Sequence, residues 1–372
     1  MKSYYIQSNS VKLHLLADDE DKLKDTILFI HGYPDDHSTW SNQLEYFSKK
    51  YRVAALDLRG IPNDFQKSSP ENFTIEELMA DIDSAVHFLL SENQKLHLVG
   101  HDWGAVISWC YISDSRYNKN IFTFTAISCP HPRLMYDNIL SRLISFSPKE
   151  VLESLNQIRK SWYILLFQIP VLPEFIWNVF GEEIWKLVLK NAGLNENDPM
   201  FQFSKDRILK IVLGNINLYR AALAGINLPE LPMDKLGTPI LLLIPEKDLA
   251  LDTIVYDKTT EYYSKVDFEY IKANHWVHRE KASLVNERIE KFYNTYLKNS
   301  DIKYHFEWDA RELNSGEILS ELKNKVNKMN SGTILKLMAN QRELKSSLQT
   351  WSHITGNTLL KFTDTEYFIK KK

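Results

Sequence analysis

The sequence predicts an α/β protein: a mainly parallel sheet with helices on both faces, a helical insertion between two of its strands, and a small separate α/β block at the C-terminal end. Three observations predict it. Short apolar runs alternate with helix-like stretches from Thr26 to Ile127, the pattern of parallel strands joined by crossover helices. From about Cys129 to Pro232 aromatic-rich helical segments take over, and the sheet resumes at Pro239. Beyond residue 300 the alternation restarts on a shorter scale.

The elements follow in order. Residues 1–25 read as two short strands around polar turns. Thr26-Ile27-Leu28-Phe29-Ile30 is a buried-strand run. It enters His31-Gly32-Tyr33-Pro34-Asp35-Asp36-His37, a Gly/Pro loop whose backbone N–H groups can face a ligand. Arg52 to Asp57 is the next strand, followed by Leu58-Arg59-Gly60. Ile75 to Leu90 reads as a helix: Thr74 caps it, Glu77 sits three residues on, and Leu78, Ile82, Ala85, Val86 and Leu89 form one face. Leu96-His97-Leu98-Val99 is strand-like, Val106 to Tyr111 helix-like, and Ile121 to Ile127 strand-like. The insertion holds helical segments at Ser161–Gln168, Glu174–Phe180, Glu182–Lys190 and Ile208–Ala224. Strands return at Pro239–Pro245 and Val266–Ile271, and a helix from Ser283 to Leu297 closes the unit. The last block reads strand (Lys303–Trp308), helix (Gly316–Met329), strand (Thr333–Met338), helix (Leu344–Ile354) and two short strands (Thr358–Phe362, Tyr367–Lys370).

At 372 residues the chain has room for two or three domains. Its 44% hydrophobic and 25% charged content is that of an ordinary globular protein. A net charge of -3 gives no reason to expect nucleic acid or an anionic membrane as a partner, and Lys370-Lys371-Lys372 reads as a solvated tail. Two cysteines, Cys110 and Cys129, make neither a disulfide framework nor a metal set. The first ten residues lack an apolar signal core, and no run approaches the ~18 apolar residues of a membrane span. The expectation is a cytoplasmic protein with no membrane span.

The chemistry centres on Gly100-His101-Asp102-Trp103-Gly104-Ala105, set between a strand and a helix. Glycines on either side let the backbone turn sharply, so the strand–turn–helix makes a nucleophile elbow with Asp102 at its tip. An aspartate between glycines also serves as a plain turn residue or helix cap. As a nucleophile, a carboxylate suits saturated carbon bearing a leaving group and forms an alkyl ester with the enzyme. Asp248 follows one strand and His275 follows the last. Nucleophile, acid, histidine is the chain order of the α/β-hydrolase triad, and all three fall at the carboxyl edge of one sheet. His278 is a rival for His275, and His101 reads as structural.

These residues carry a resemblance. His31 to Trp40 (HGYPDDHSTW), Gly100 to Ala105 (GHDWGA), Pro245 to Asp248 (PEKD) and Asn274 to Trp276 (NHW) resemble epoxide hydrolases of the α/β-hydrolase fold over roughly residues 1–298. Haloalkane dehalogenases share the aspartate nucleophile. The resemblance implies an α/β-hydrolase core over 1–130 and 231–299 and a helical cap over 131–230. It implies two cap tyrosines that hold the epoxide oxygen: Tyr163, four residues before Phe167-Gln168, and Tyr219 in Asn217-Leu218-Tyr219-Arg220. It also implies an oxyanion hole from the backbone N–H groups of Tyr33 and Trp103, with no metal or organic cofactor. The substrate expected is a small hydrophobic or lipid-like epoxide. Trp103 as a halide donor keeps dehalogenation as an alternative, and a non-catalytic binding protein is a third. Where the family usually continues Tyr-Gly-x-Ser after Asp57-Leu58-Arg59-Gly60, this chain has Ile61-Pro62-Asn63-Asp64.

Residues 300–372 resemble TusA-like sulfur-carrier domains, through Asp309-Ala310-Arg311-Glu312-Leu313-Asn314-Ser315-Gly316-Glu317 and later Ser331 to Leu335, Trp351 and Thr355-Gly356-Asn357. Ser315 stands where the family has its carrier cysteine, and a hydroxyl does not hold a persulfide. The block is expected to pack within the chain or bind a protein partner.

Overall fold

The computed structural model describes all residues except 19–23, 62–68, 92–93, 224–230, 232–234, 300–303, 342 and 363–364. Pro62 to Asp64, Ala224, Pro232 and Lys303, named above, lie outside the described residues. The chain divides into two compact units, Met1–Tyr293 and Asn294–Lys372.

The first unit is built on an eight-stranded sheet. Its strands are β1 (Lys2–Ser8), β2 (Val11–Ala17), β3 (Thr26–Ile30), β4 (Arg52–Leu56), β5 (Leu96–His101), β6 (Ile121–Ile127), β7 (Ile240–Pro245) and β8 (Val266–Ile271), in the order β1-β2-β4-β3-β5-β6-β7-β8. The β1–β2 and β2–β4 pairs are antiparallel, and every pair from β4 to β8 is parallel. The central strands are buried along their whole length and mostly apolar because helices cover both faces: β3, β4, β5 and β7 bury every residue. The helix Ile75–Leu89 begins as its sequence predicts, with the Thr74 hydroxyl accepting the N–H of Glu77. Glu77 does not close the capping box: its carboxylate pairs with Asn9 and Arg59 instead.

The helical insertion separates β6 from β7. Its helices run over Pro132–Leu143, Pro148–Lys160, Trp162–Gln168, Leu172–Asn191, Lys205–Asn215 and Asn217–Leu223. The first two begin at prolines, which suit a first helical turn. Glu174–Phe180 and Glu182–Lys190 form one helix, broken at Phe180 (φ −115°, ψ 16°) before Gly181. The expected helix from Ile208 divides at Ile216, where Gly214, Asn215 and Asn217 are weak helix formers. Gly214 also packs backbone to backbone on Gly60: a Cβ there would meet the Gly60 carbonyl oxygen at 2.4 Å. The insertion has its own core around Trp177, Trp185, Leu189 and Ile211, and it extends onto Tyr33 and Trp276 of the sheet's loops. No single described helix is long and apolar enough to cross a membrane, although Trp162–Gln168 and Leu172–Asn191, bent by 116°, pass that test as a pair.

The second unit is a two-layer α/β structure. Strands β9 (Phe306–Asp309), β10 (Ile334–Met338), β11 (Thr358–Phe362) and β12 (Glu366–Lys370) form a mixed sheet in the order β11-β12-β10-β9. Helices Ser315–Asn327 and Leu344–Thr355 enclose its core of Ile318, Leu322, Leu337, Leu348 and Ile369. The first of these starts with a full capping box, Asn314 and Glu317 exchanging hydrogen bonds.

Candidate active site

Asp102 stands at the turn between β5 and the helix Trp103–Ser113 with φ 50° and ψ −120°. A non-glycine residue in that region is held there by its surroundings, and such strain is commonest at functional sites. The Asp102 N–H donates to the Ile127 carbonyl at 3.1 Å, and its carbonyl accepts the Val106 N–H at 2.9 Å. The turn also needs close backbone approach. A Cβ on Gly104 would sit 2.2 Å from the Ile30 carbonyl oxygen, and one on Gly32 would sit 2.4 Å from the Asp102 Cβ.

The strand ends bring Asp102, Asp248 and His275 together. His275 Nε2 lies 3.3 Å from Asp102 Oδ2, and its Nδ1 lies 2.8 Å from Asp248 Oδ2. The other Asp248 oxygen accepts the N–H groups of Ala250 and Leu251 at 2.7 and 3.1 Å. The His275 carbonyl accepts from His101 Nε2 at 3.0 Å and from the Ser128 hydroxyl at 2.7 Å. His101 therefore helps hold the histidine loop. His278 lies one turn further, in the short helix Val277–Glu280, and points to Thr39 at 2.9 Å.

The charges are mutually dependent. Burial works against a charged His275, but the Asp248 carboxylate and the hydrogen bonds to both aspartates outweigh it and raise its pKa well above the ordinary value. Burial alone would raise Asp102; the hydrogen bond and charge of His275 prevail and hold it below the usual carboxylate value. The two oxygens of Asp102 differ. Oδ1 accepts the Tyr33 N–H at 2.8 Å, while Oδ2 faces His275. Trp103 is the first residue of its helix, where amide N–H groups have no intrahelical acceptor.

Tyr163 and Tyr219 come from two different cap helices, and their rings lie 5.7 Å apart at 82°. Tyr219 also stands edge-on to Trp103 and Tyr33, with centroids at 5.3 and 5.0 Å. Burial raises the pKa of both hydroxyls, and the Asp102 charge adds to the rise, so both stay protonated as donors. The two tyrosine motifs clamp each other. The Gln168 amide donates to the Tyr219 carbonyl at 2.9 Å, and Arg220 Nε donates to the Phe167 carbonyl at 2.9 Å. Arg220 also pairs with Glu174 at 2.7 Å. Each motif thus supplies the group that fixes the other's backbone, which sets the spacing of the two rings.

Sequence reasoning passed over Asp35. It is fully buried behind the site, accepts the Trp276 indole N–H at 2.8 Å and lies 3.9 Å from His101 Nδ1. Burial pushes its pKa up to about 8, against the Trp276 hydrogen bond and the Arg279 charge. The available signal was a second acid in the loop after a buried strand. Asp57 is the hub of another cluster: its Oδ2 accepts from Nδ1 of both His14 and His37 at 2.8 Å. Although burial acts to raise it, these hydrogen bonds keep that carboxylate far below its ordinary value.

The comparisons agree with this architecture. A family model described as "alpha/beta hydrolase fold" matches residues 25–151. The chain is 28% identical to "Epoxide hydrolase 1" of Caenorhabditis elegans over 305 residues, 79% of this chain and 70% of that protein. It is also 28% identical to "Epoxide hydrolase 4" of Homo sapiens over 311 residues, 80% of this chain and 79% of the relative. A crystal structure of a Bacillus megaterium epoxide hydrolase with an inhibitor superposes with a TM-score of 0.63 at 25% identity, covering 78% of this chain and all of that one. With its parallel sheet, its inserted helices and its likeness to these enzymes over most of the chain, the protein is a hydrolase of the α/β-hydrolase fold.

Proposed function

We infer that the protein hydrolyses an epoxide to a vicinal diol through an ester on Asp102. The observation that carries this reading is the pair of buried, edge-on tyrosines, Tyr163 and Tyr219, which both feel the charge of the Asp102 carboxylate that His275 holds ionised. Opening an epoxide releases an alkoxide, which needs a proton at neutral pH. Asp102 attacks a ring carbon, the C–O bond breaks, and its electron pair goes to the epoxide oxygen, which takes a proton from one tyrosine. Alkylation removes the Asp102 charge that helped hold the proton on His275, so the imidazole becomes available as a base. His275 then takes a proton from water, whose oxygen attacks the Asp102 carbonyl carbon. Negative charge develops on the carbonyl oxygen, stabilised by the N–H groups of Tyr33 and Trp103. Collapse expels the second alkoxide, which receives the His275 proton and leaves Asp102 as a carboxylic acid. That remaining proton, the second from the water, returns to the tyrosinate, so the Asp102 carboxylate and the tyrosine hydroxyl are both restored. Asp248 orients the imidazole and stabilises its charged form. The residues need no metal or organic cofactor for these steps. The aromatic surroundings of Asp102 favour a small hydrophobic substrate.

The test is intact-protein mass spectrometry of His275→Gln incubated with aryl and alkyl epoxides. A mass gain equal to the whole epoxide, mapped to the Asp102 peptide, is the expected result. A gain equal to a haloalkane less its halogen, from a parallel panel, would assign dehalogenation instead. No adduct from either panel would leave a binding role.

For residues 300–372 we propose a degenerate carrier fold. Ser315 opens its first helix where a TusA-like domain carries its cysteine, so the unit does no sulfur transfer and serves in packing or in binding a protein partner. A Ser315→Cys variant that takes up sulfane sulfur from a cysteine desulfurase at position 315 would support the carrier ancestry, and its failure to do so while still folded would overturn that reading.

A further inference from the structure

From Ser161 to Gly181 the chain has one charged residue, Glu174, and that side chain is tied to Arg220. The exposed side chains in this stretch are otherwise almost all apolar. Leu165, Val171 and Phe175 are 68%, 73% and 59% exposed, and Trp162, Ile169 and Leu172 lie exposed beside them. Asn178 is the one exposed polar side chain between residues 162 and 180, all of which are described. Leu155 and Ile158 of the preceding helix, Pro148–Lys160, are exposed as well.

The shape of this surface points to its occupant. Two helices, Trp162–Gln168 and Leu172–Asn191, meet at 116°. The first and the Leu172–Phe180 part of the second present an apolar corner, while exposed Glu182, Glu183, Lys186 and Lys190 lie further along the second. At the corner stands Val171, a β-branched residue with φ 67°. That position combines an exposed apolar side chain with a left-handed backbone that valine resists. A stable protein–protein interface has about one hydrogen bond per 100–200 Å², and this corner has almost no side chain able to make one. Hydrocarbon requires none. A seven-residue helix is too short to span a bilayer, but a corner of this kind can lie within the interface plane.

We propose that the corner of Trp162–Gln168 and Leu172–Asn191 docks on the surface of a phospholipid bilayer, with Leu165, Val171 and Phe175 among the acyl chains. Tyr163 lies on the same short helix, so the docked corner adjoins the site. Hydrophobic epoxides dissolved in lipid then enter from the membrane; this substrate class rests on the epoxide reading above, whereas the docking does not.

The experiment is flotation of the full-length protein with large unilamellar vesicles of phosphatidylcholine, beside turnover of a water-soluble epoxide. The wild type is expected to float with the vesicles. Leu165→Asp combined with Phe175→Asp should lower partitioning about tenfold or more and leave turnover of the soluble epoxide unchanged. Val171→Asn is the second variant: asparagine tolerates the left-handed backbone, so the melting temperature should hold or rise while partitioning falls. Absence of the wild type from the floated fraction, or flotation insensitive to all three substitutions, overturns the proposal. A concentration-dependent dimer abolished by the same substitutions, without flotation, also overturns it and assigns the corner to contact between copies. Flotation without epoxide turnover would retain the docking and reject the reaction; turnover without flotation would do the reverse.

Discussion

His275 Nε2 lies 3.3 Å from Oδ2 of Asp102, the oxygen that the Tyr33 N–H leaves free. The distance couples the protonation of His275 to the charge of Asp102, so the two half-reactions of the proposed mechanism should respond differently to pH. Asp102 has a lowered pKa and stays ionised into acid, which preserves alkylation. Hydrolysis of the ester needs neutral His275, and once Asp102 is esterified the Asp248 carboxylate still favours the charged imidazole. Lowering the pH should therefore slow hydrolysis first and let the ester accumulate. Rapid acid quench with mass spectrometry checks this; equal slowing of both phases would refute it.

Removing one cap hydroxyl should slow epoxide opening. Tyr163→Phe and Tyr219→Phe should each lower the alkylation rate by roughly a hundredfold, and the double variant by more. Ester hydrolysis should change little. Single-turnover kinetics separates the phases. Full alkylation by the double variant would remove the tyrosines from the reaction.

Asp35 makes a prediction about stability. Its folded pKa is raised by burial to about 8, against about 3.9 for an unfolded aspartate. Between these values the unfolded chain gives up a proton that the folded chain retains. Stability therefore falls as pH rises through that window and levels off above it. Asp35→Asn has no such proton, so the wild type should lose stability relative to this variant between about pH 5 and pH 8. Thermal unfolding of both proteins at the two pH values measures the difference, and parallel curves would contradict the assignment.

Arg59 donates to both oxygens of Asp81 at 2.6 Å, and both side chains are buried. Asp81→Ala leaves that guanidinium without its main counter-charge. The expected loss is about 3 to 5 kcal/mol, read from denaturant unfolding. A loss below about 1 kcal/mol would show that Glu77 and the backbone carbonyls suffice.

Asp102, Asp248 and His275 were legible because each follows a strand and their order along the chain is informative. The strands themselves were legible because parallel-sheet strands buried on both faces read as continuous apolar runs. The division of the helix at Ile216 was not, because apolar periodicity continues through residues that resist helix. Asp35 was not, because a carboxylate in a loop looks solvated until the packing of Trp276 and His101 around it is known.

By itself the sequence determined the local matters: where strands and helices run, which residue stands at the elbow's tip, and that Tyr163 and Tyr219 sit in helical segments. Tertiary structure alone decided which oxygen of Asp102 faces His275, how the two tyrosine motifs clamp each other, and which apolar cap residues remain uncovered. Local propensity depends on neighbours along the chain. Distances, burial and the resulting shifts in proton affinity depend on groups far apart in sequence, such as Tyr33, Asp102, Tyr219 and His275, that only the folded chain brings into contact.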